Sequence, residues 1–184
     1  MSGSFVEVLD TCRSTQDEVL TRLRDTEPGT IIAIRALSQQ AGRGREGRAW
    51  QDPPGDALLL SVGVRGPLDI TVLDALPARL GLALLEELAP HGQLRWKAPN
   101  DLVASVDGAK VAGILVDART VGAAVDHVVV GLGCNLTGPR FTTADGRDAA
   151  SLEATGAGGG DPDALAERIA DAIRSALEYT PAPM

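Results

Sequence analysis

The stretch Ser38 to Trp50, read as SQQAGRGREGRAW, holds the residue types best suited to chemistry in this chain. Gly42, Arg43, Gly44 and Arg45 alternate, and Gly47, Arg48 and Trp50 follow. Glycine lets a backbone approach a ligand closely. Arginine presents a rigid fork of donors that matches phosphate and carboxylate oxygens. In a chain of net charge −8, such a loop points to an anion small enough to be wrapped. The alternatives are a solvated face or an RGG-type RNA-binding segment. The latter is usually long and disordered, whereas this stretch is single and lies between two predicted strands. The pattern GxxxxGK[ST] is absent, which excludes a P-loop.

The use of lysine points the same way. Of 17 basic residues only Lys97 and Lys110 are lysines; the rest are arginines. Composition bias could leave two survivors by chance. A position that requires a compact ammonium is the functional alternative, since the two side chains are not interchangeable at a phosphate or carboxylate. Lys110 follows a hairpin signal and heads a predicted core strand. There it must either snorkel to the rim or meet an anionic ligand. Asn100 and Asp101 stand at a strand end after a proline, where they could close a turn or face a ligand. Asn135, after GLGC, is open in the same way. His91 and His127 have no second ligand at metal spacing, and no GxSxG elbow is present.

The elements that must position these groups read clearly. Phe5–Leu9 alternates as a strand. Thr15 with Glu18 fits a capping box, and Val19, Leu20 and Leu23 give the following helix an apolar face ending near Glu27-Pro28-Gly29. Thr30–Ala36 is a β-branched strand, and the glycine-arginine loop is closed by Pro53, Pro54 and Gly55. Ala57–Val64 reads as a strand buried on both faces. Thr71–Leu88 has helical spacing, with Pro77 blurring its start. Leu94–Lys97, Leu102–Val106, Lys110–Val116 and Val125–Leu132 are predicted strands, with Asp107-Gly108 as a hairpin turn. Gly156–Gly160 reads as a linker within the domain. Asp161-Pro162 opens a last helix carrying Leu165, Ile169, Ile173 and Leu177, and the tail TPAPM reads as loose. The order predicts an α+β fold, a mixed and mainly antiparallel sheet with helices packed against it.

The 184 residues fit one domain, and 44% hydrophobic residues allow a sizeable core, which 3% aromatics make aliphatic. A pI of 4.7 argues against a general nucleic-acid or membrane binder. No apolar run reaches the length of a membrane span, and the start MSGSFVEVLD lacks the form of a signal peptide. Cys12 and Cys134 lie far apart without a CxxC and read as reduced apolar residues of a cytoplasmic protein.

Four ordered blocks carry a resemblance: STQ at Ser14–Gln16, QQAGRGREGRAW, KAPND at Lys97–Asp101, and the pair AKVAGIL and GLGCN. Together they resemble the catalytic domain of biotin protein ligases, within the biotin/lipoate ligase superfamily, from about Asp10 to Leu177. The resemblance implies a class II synthetase-like core that activates biotin with ATP as biotinyl-5′-AMP and transfers it to a lysine of a carrier protein. It places Ser14, Thr15, Gln16, Gln39 and Gly113 at biotin, with Arg43, Gly44 and Arg45 closing over biotin and the adenylate phosphate. Lys110 and Arg45 take the catalytic positions. Arg48, Trp50, Asn100 and Asn135 fall to the nucleotide, and Asp101 to a Mg²⁺ ion.

Biotin and ATP are substrates in this reading, with no tightly bound cofactor. The partner is a biotin carboxyl carrier domain of a biotin-dependent carboxylase; no nucleic acid or membrane is implied, and a homodimer is allowed. One catalytic domain over residues 1–179 is expected, with 180–184 as a tail and neither a winged helix before it nor a β-barrel after it. Three positions depart from the family pattern: Gln16 for asparagine, Ala98 for tryptophan and Cys134 for an aliphatic residue. They keep two alternatives open, a ligase for lipoate or another acyl acid and a non-catalytic member that binds biotin or an adenylate.

Overall fold

In a computed structural model, residues 5–50, 56–156, 158 and 160–178 are described. The expected closure of the loop at Pro53 to Gly55 and the tail TPAPM lie outside them. The strands are β1 (Val6–Cys12), β2 (Ile31–Gln39), β3 (Ala57–Asp69), β4 (Leu94–Lys97), β5 (Asp101–Ala104), β6 (Lys110–Val121), β7 (Ala124–Asn135), β8 (Phe141–Thr142) and β9 (Asp148–Ala149). The helices are α1 (Thr15–Leu23), α2 (Leu76–Leu88) and α3 (Pro162–Leu177).

The sheet runs in the order β1-β2-β3-β7-β6-β5-β4, with β9 beside β6 and β8 beside β9. The pairs β1–β2 and β6–β9 are parallel. The β2–β3, β3–β7, β6–β7, β5–β6, β4–β5 and β8–β9 pairs are antiparallel. This is the mixed, mainly antiparallel sheet that the sequence predicts. Alternation along the long strands sorts side chains to opposite faces. Leu58, Leu60 and Val62 of β3 and Val128, Val130 and Leu132 of β7 join α2 and α3 in one aliphatic core. Each fully buried leucine there contributes about 1.5–3 kcal/mol. On the other face, Val19 and Leu23 of α1 pack on Ile34 and Val129. Gly63 allows this close approach, since a Cβ there would stand 2.5 Å from Val19 Cγ1.

Three sequence expectations shift. The predicted capping box at Thr15 does not form: Ser14 is the N-cap, without a side-chain cap bond, and Thr15 is the first helical residue. Its hydroxyl turns instead to Ser61 and Gln39. Residues Ile70–Leu73 form a single tight turn, and α2 begins only at Leu76 after Ala75 takes a left-handed φ of 49°. Pro77 thus sits in the first turn, where its missing N–H breaks no bond. Most strands also run longer than predicted, because cross-strand pairing carries them past their apolar stretch. The hairpin at Asp107-Gly108 stands as expected, with Gly108 at φ 79°. Asp161 caps α3 by accepting from the Asp163 amide at 3.0 Å.

Candidate active site

Two adjoining cavities open on the face of the sheet that carries α1. Odd-numbered positions of β3, β7 and β6 make the floor of the first. Ser61 lies opposite Gly131, and Gly131 opposite Leu115; Gly133 lies opposite Gly113. The glycines leave room for other side chains. A Cβ at Gly131 would come within 2.5 Å of Gln16 Oε1, and one at Gly133 within 2.7 Å of the Trp50 ring.

The first cavity, about 50 Å³, is lined by Ser14, Thr15, Gln16 and Gln39 at its polar end and by Arg43, Gly44, Arg45 and Trp50 at its mouth. The second, about 320 Å³, is lined by Arg48, Asn135, Asp101 and the β8–β9 turn, including Thr143, Asp145 and Arg147. Gly44, Arg45, Trp50, Asn100 and Lys110 line both.

Lys110, at the start of β6, stands at this junction. Its Nζ lies 2.8 Å from Asp101 Oδ1 and 5.7 Å from the centre of the Trp50 ring. It therefore reaches the rim, a quarter exposed, rather than being lost in the core. Lys97, the other lysine, is exposed, so the ammonium at the junction belongs to Lys110. Arg45 donates to Asn100 Oδ1 at 2.9 Å, and Arg48 pairs with Glu46. Arg43 crosses the mouth to Asp17 at 2.9 Å and Asp117 at 3.2 Å. Each cation of the loop thus faces an oxygen of the protein that an anionic ligand could replace.

The loop itself folds back as a short bridge. Gly44 N donates to Arg48 O at 2.7 Å and Trp50 N to Gly42 O at 2.9 Å. This lays the Trp50 indole on Gly133 and Gly113, with its Nε1 buried and unpaired. Asn135 is buried at the end of β7 and donates to Ala150 O at 3.0 Å, and Ala150 N donates to Lys110 O at 2.9 Å. These bonds strap the segment after β9 to the junction.

Every residue that the resemblance assigns to biotin, the nucleotide or Mg²⁺ lines one or both cavities. The departures behave differently from one another. Gln16 lies in the floor, whereas Ala98 is exposed and lines neither cavity. Cys134 faces the core, where burial pushes its thiol up to about 12. Sequence reasoning missed Ser61, Gly131, Gly133, Asp117 and the β8–β9 turn. A signal existed for the first three: Leu60-Ser61-Val62-Gly63 and Gly131-Leu132-Gly133-Cys134 alternate small and large, which marks a face kept open. Among the described residues no group of three or more His, Cys, Asp or Glu side chains could hold a metal ion.

Comparison with known proteins agrees with this architecture. The model of the biotin/lipoate A/B protein ligase family matches residues 8–135. The bifunctional ligase/repressor BirA of Escherichia coli is 35% identical over 138 residues, which are 74% of this chain and 42% of that protein. A biotin–[acetyl-CoA-carboxylase] ligase of Mycobacterium tuberculosis is 35% identical over 72% of this chain and 49% of its own length. The chain thus spans less than half the length of these curated relatives. A biotin protein ligase of Leishmania major solved with biotin superposes with TM-score 0.72 at 27% identity, covering 94% of this chain and 72% of that one. One from Aquifex aeolicus, solved with biotin and ATP, gives TM-score 0.69 at 27% identity, over 94% and 70% of the two chains. The chain belongs to the biotin/lipoate A/B protein ligase family.

Proposed function

We propose that this chain is a biotin protein ligase catalytic domain. It joins biotin to ATP as biotinyl-5′-AMP with release of pyrophosphate, then passes biotin to a lysine of a biotin carboxyl carrier domain. The observation that carries this reading is the shared rim: the one lysine and the one arginine common to both cavities stand where a carboxylate from one would meet a phosphate from the other. A carboxylate oxygen of biotin attacks the α-phosphorus and pyrophosphate leaves. Negative charge grows on the phosphoryl oxygens, and preorganised cations there lower the barrier. Lys110 supplies a point charge between carboxylate and phosphate, Arg45 a fork on the phosphate. The carrier amine then attacks the acyl carbon and AMP departs.

Ser14, Thr15, Gln16, Gln39 and Gly113 form the biotin end. Arg48, Trp50, Asn100 and Asn135 serve the nucleotide. A Mg²⁺ ion fits the donor set only as an ion shared with nucleotide phosphates, since Mg²⁺ commonly binds through one or two carboxylates plus phosphate oxygens. Asp101 would hold it, and the ion would neutralise charge on the triphosphate. Two buried free thiols suit a reducing cytoplasm, and no helix among the described residues is long and apolar enough to cross a membrane.

The test is acid-dependent exchange of labelled pyrophosphate into ATP. Biotin-dependent exchange supports the reading. Exchange with lipoate alone would place the chain with acyl ligases of the other branch, and biotin binding without exchange would make it a non-catalytic binder.

A further inference from the structure

A cavity of about 360 Å³ lies at the C-terminal end of α1, lined by Leu20, Arg24, Arg65, Arg119, Asp126 and His127. None of these residues lines either cavity of the candidate active site. Its floor is one rung of the sheet. Arg65 of β3 lies opposite His127 of β7, and His127 lies opposite Arg119 of β6. These are again odd-numbered positions, so their side chains stand on the α1 face. Arg24, the C-cap of α1, closes the cavity from above. Like charges brought together across neighbouring strands destabilise a sheet, and here three arginines share a cavity with a single carboxylate. That carboxylate, Asp126, is already engaged by Arg65 Nη1 at 2.8 Å and His127 Nδ1 at 3.0 Å. The side chains of Arg24 and Arg119 have no hydrogen-bond or ion-pair partner among the described residues. In a chain of net charge −8, a concave patch left positive in this way calls for an anion from outside.

We propose that this cavity is a second anion site, which holds a phosphate group, free or borne on a small molecule, between Arg24, Arg65 and Arg119. Its volume falls in the range of small-molecule pockets, about 300–1,000 Å³. Arg65 and Arg119 start two strands apart, about 10 Å between Cα atoms, so their forks can close on one group from both sides. An arginine fork takes phosphate oxygens two at a time. A planar carboxylate has two oxygens and cannot answer three forks, whereas a tetrahedral phosphate can. Asp126 holds Arg65 and His127 in place before the ligand arrives, which lowers the entropic cost of binding. Leu20 offers an apolar wall to the organic part of an ester. Between this cavity and the first one lies the packed body of α1, with Val19 and Leu23 on Ile34 and Val129. Phosphate binding here is therefore independent of the reaction proposed above and uses none of its residues.

The experiment is a titration of the isotope-labelled chain with inorganic phosphate, and separately with glycerol phosphate, followed by amide NMR shifts. Chloride is exchanged out to keep ionic strength constant, so that screening does not change. The amides of Arg65, His127 and Arg119 should shift saturably with phosphate and not with chloride. Arg119→Gln and Arg24→Gln should each weaken that binding about tenfold or more, as for one lost charge-assisted contact, with biotin-dependent exchange at the wild-type rate. Both side chains are exposed and unpartnered, so neither change breaks a bond of the fold. Tighter binding of glycerol phosphate would identify a phosphate ester as the ligand, and equal affinity the free ion; either result supports the site. Shifts that never saturate, that chloride reproduces, or that persist unweakened in both variants would overturn it. Shifts at the same amides that follow protein concentration without phosphate would mean that a second copy of the chain covers the rung, and would overturn it as well.

Discussion

The floor of the first cavity and the wall of the second are built from different material. The floor consists of side chains from α1 and three central strands, each buried and bonded to the next: Gln16, Ser61 and Thr15 are all under 5% exposed. The wall consists of loop-borne ions at the surface. Arg48 pairs with Glu46, and Arg147 with Asp145 at 2.6 Å, their side chains about half exposed. A preorganised floor holds a ligand in one orientation at little entropic cost. Exposed pairs are worth little in themselves and give way readily to a stronger anion. In the proposed reaction, the rigid end would select the acid and the yielding end would take a nucleotide that enters whole and leaves in pieces.

Breaking the floor should cost most. Gly131→Ala places a methyl 2.5 Å from Gln16 Oε1, in a region held on all sides by packed strands. The KM for biotin should rise about tenfold or more through the displaced contacts, with the KM for ATP unchanged; steady-state kinetics read both. Breaking the wall should cost less and on the other substrate. Arg147→Ala should raise the KM for ATP about threefold to tenfold, the range of one exposed charge-assisted contact, and leave that for biotin alone.

A pH series sharpens the same contrast. Hydrogen bonds from Arg147 and Thr143 hold Asp145 down at about 2. A depressed carboxylate keeps its pairing above its ordinary range and loses it only as pH falls towards that value. The Arg147–Asp145 pair should therefore stay formed between about pH 5 and 8. The smallest effect belongs to Cys134, whose buried thiol has almost no thiolate near neutrality. Thiol reagents should leave it unlabelled until denaturant is added, with activity unchanged; rapid labelling of the native chain at Cys134 would contradict its place in the core.

The contrast also explains what the sequence made legible. The glycine-arginine loop, Lys110 and the Ser14–Gln16 segment stand out because their residue types are rare in their surroundings, and all of them line the site. The strands announce themselves by apolar runs. Ser61 and Asp117 were not visible, because a serine in ALLLSVGV or an aspartate after GILV has meaning only once Gln16 is brought across from α1. Arg147 was hidden for another reason: β8 and β9 have two residues each, too few for a periodic signal, and their turn is held by side-chain and backbone bonds around Thr143. Thr15 misled the reading, since a threonine at a helix start usually caps, and here its hydroxyl serves the cavity.

The most direct test of the central claim is biotin-dependent pyrophosphate exchange in Lys110→Arg. An ammonium 2.8 Å from Asp101 at the junction of two cavities occupies a point that a larger planar guanidinium cannot reproduce. Exchange should fall by about 100-fold or more, while the melting temperature without ligand stays within about 2 °C of wild type, as for a side chain at the rim. Exchange near the wild-type rate in Lys110→Arg would mean that Lys110 only balances Asp101, and that the junction of the two cavities is not where the acid meets the phosphate.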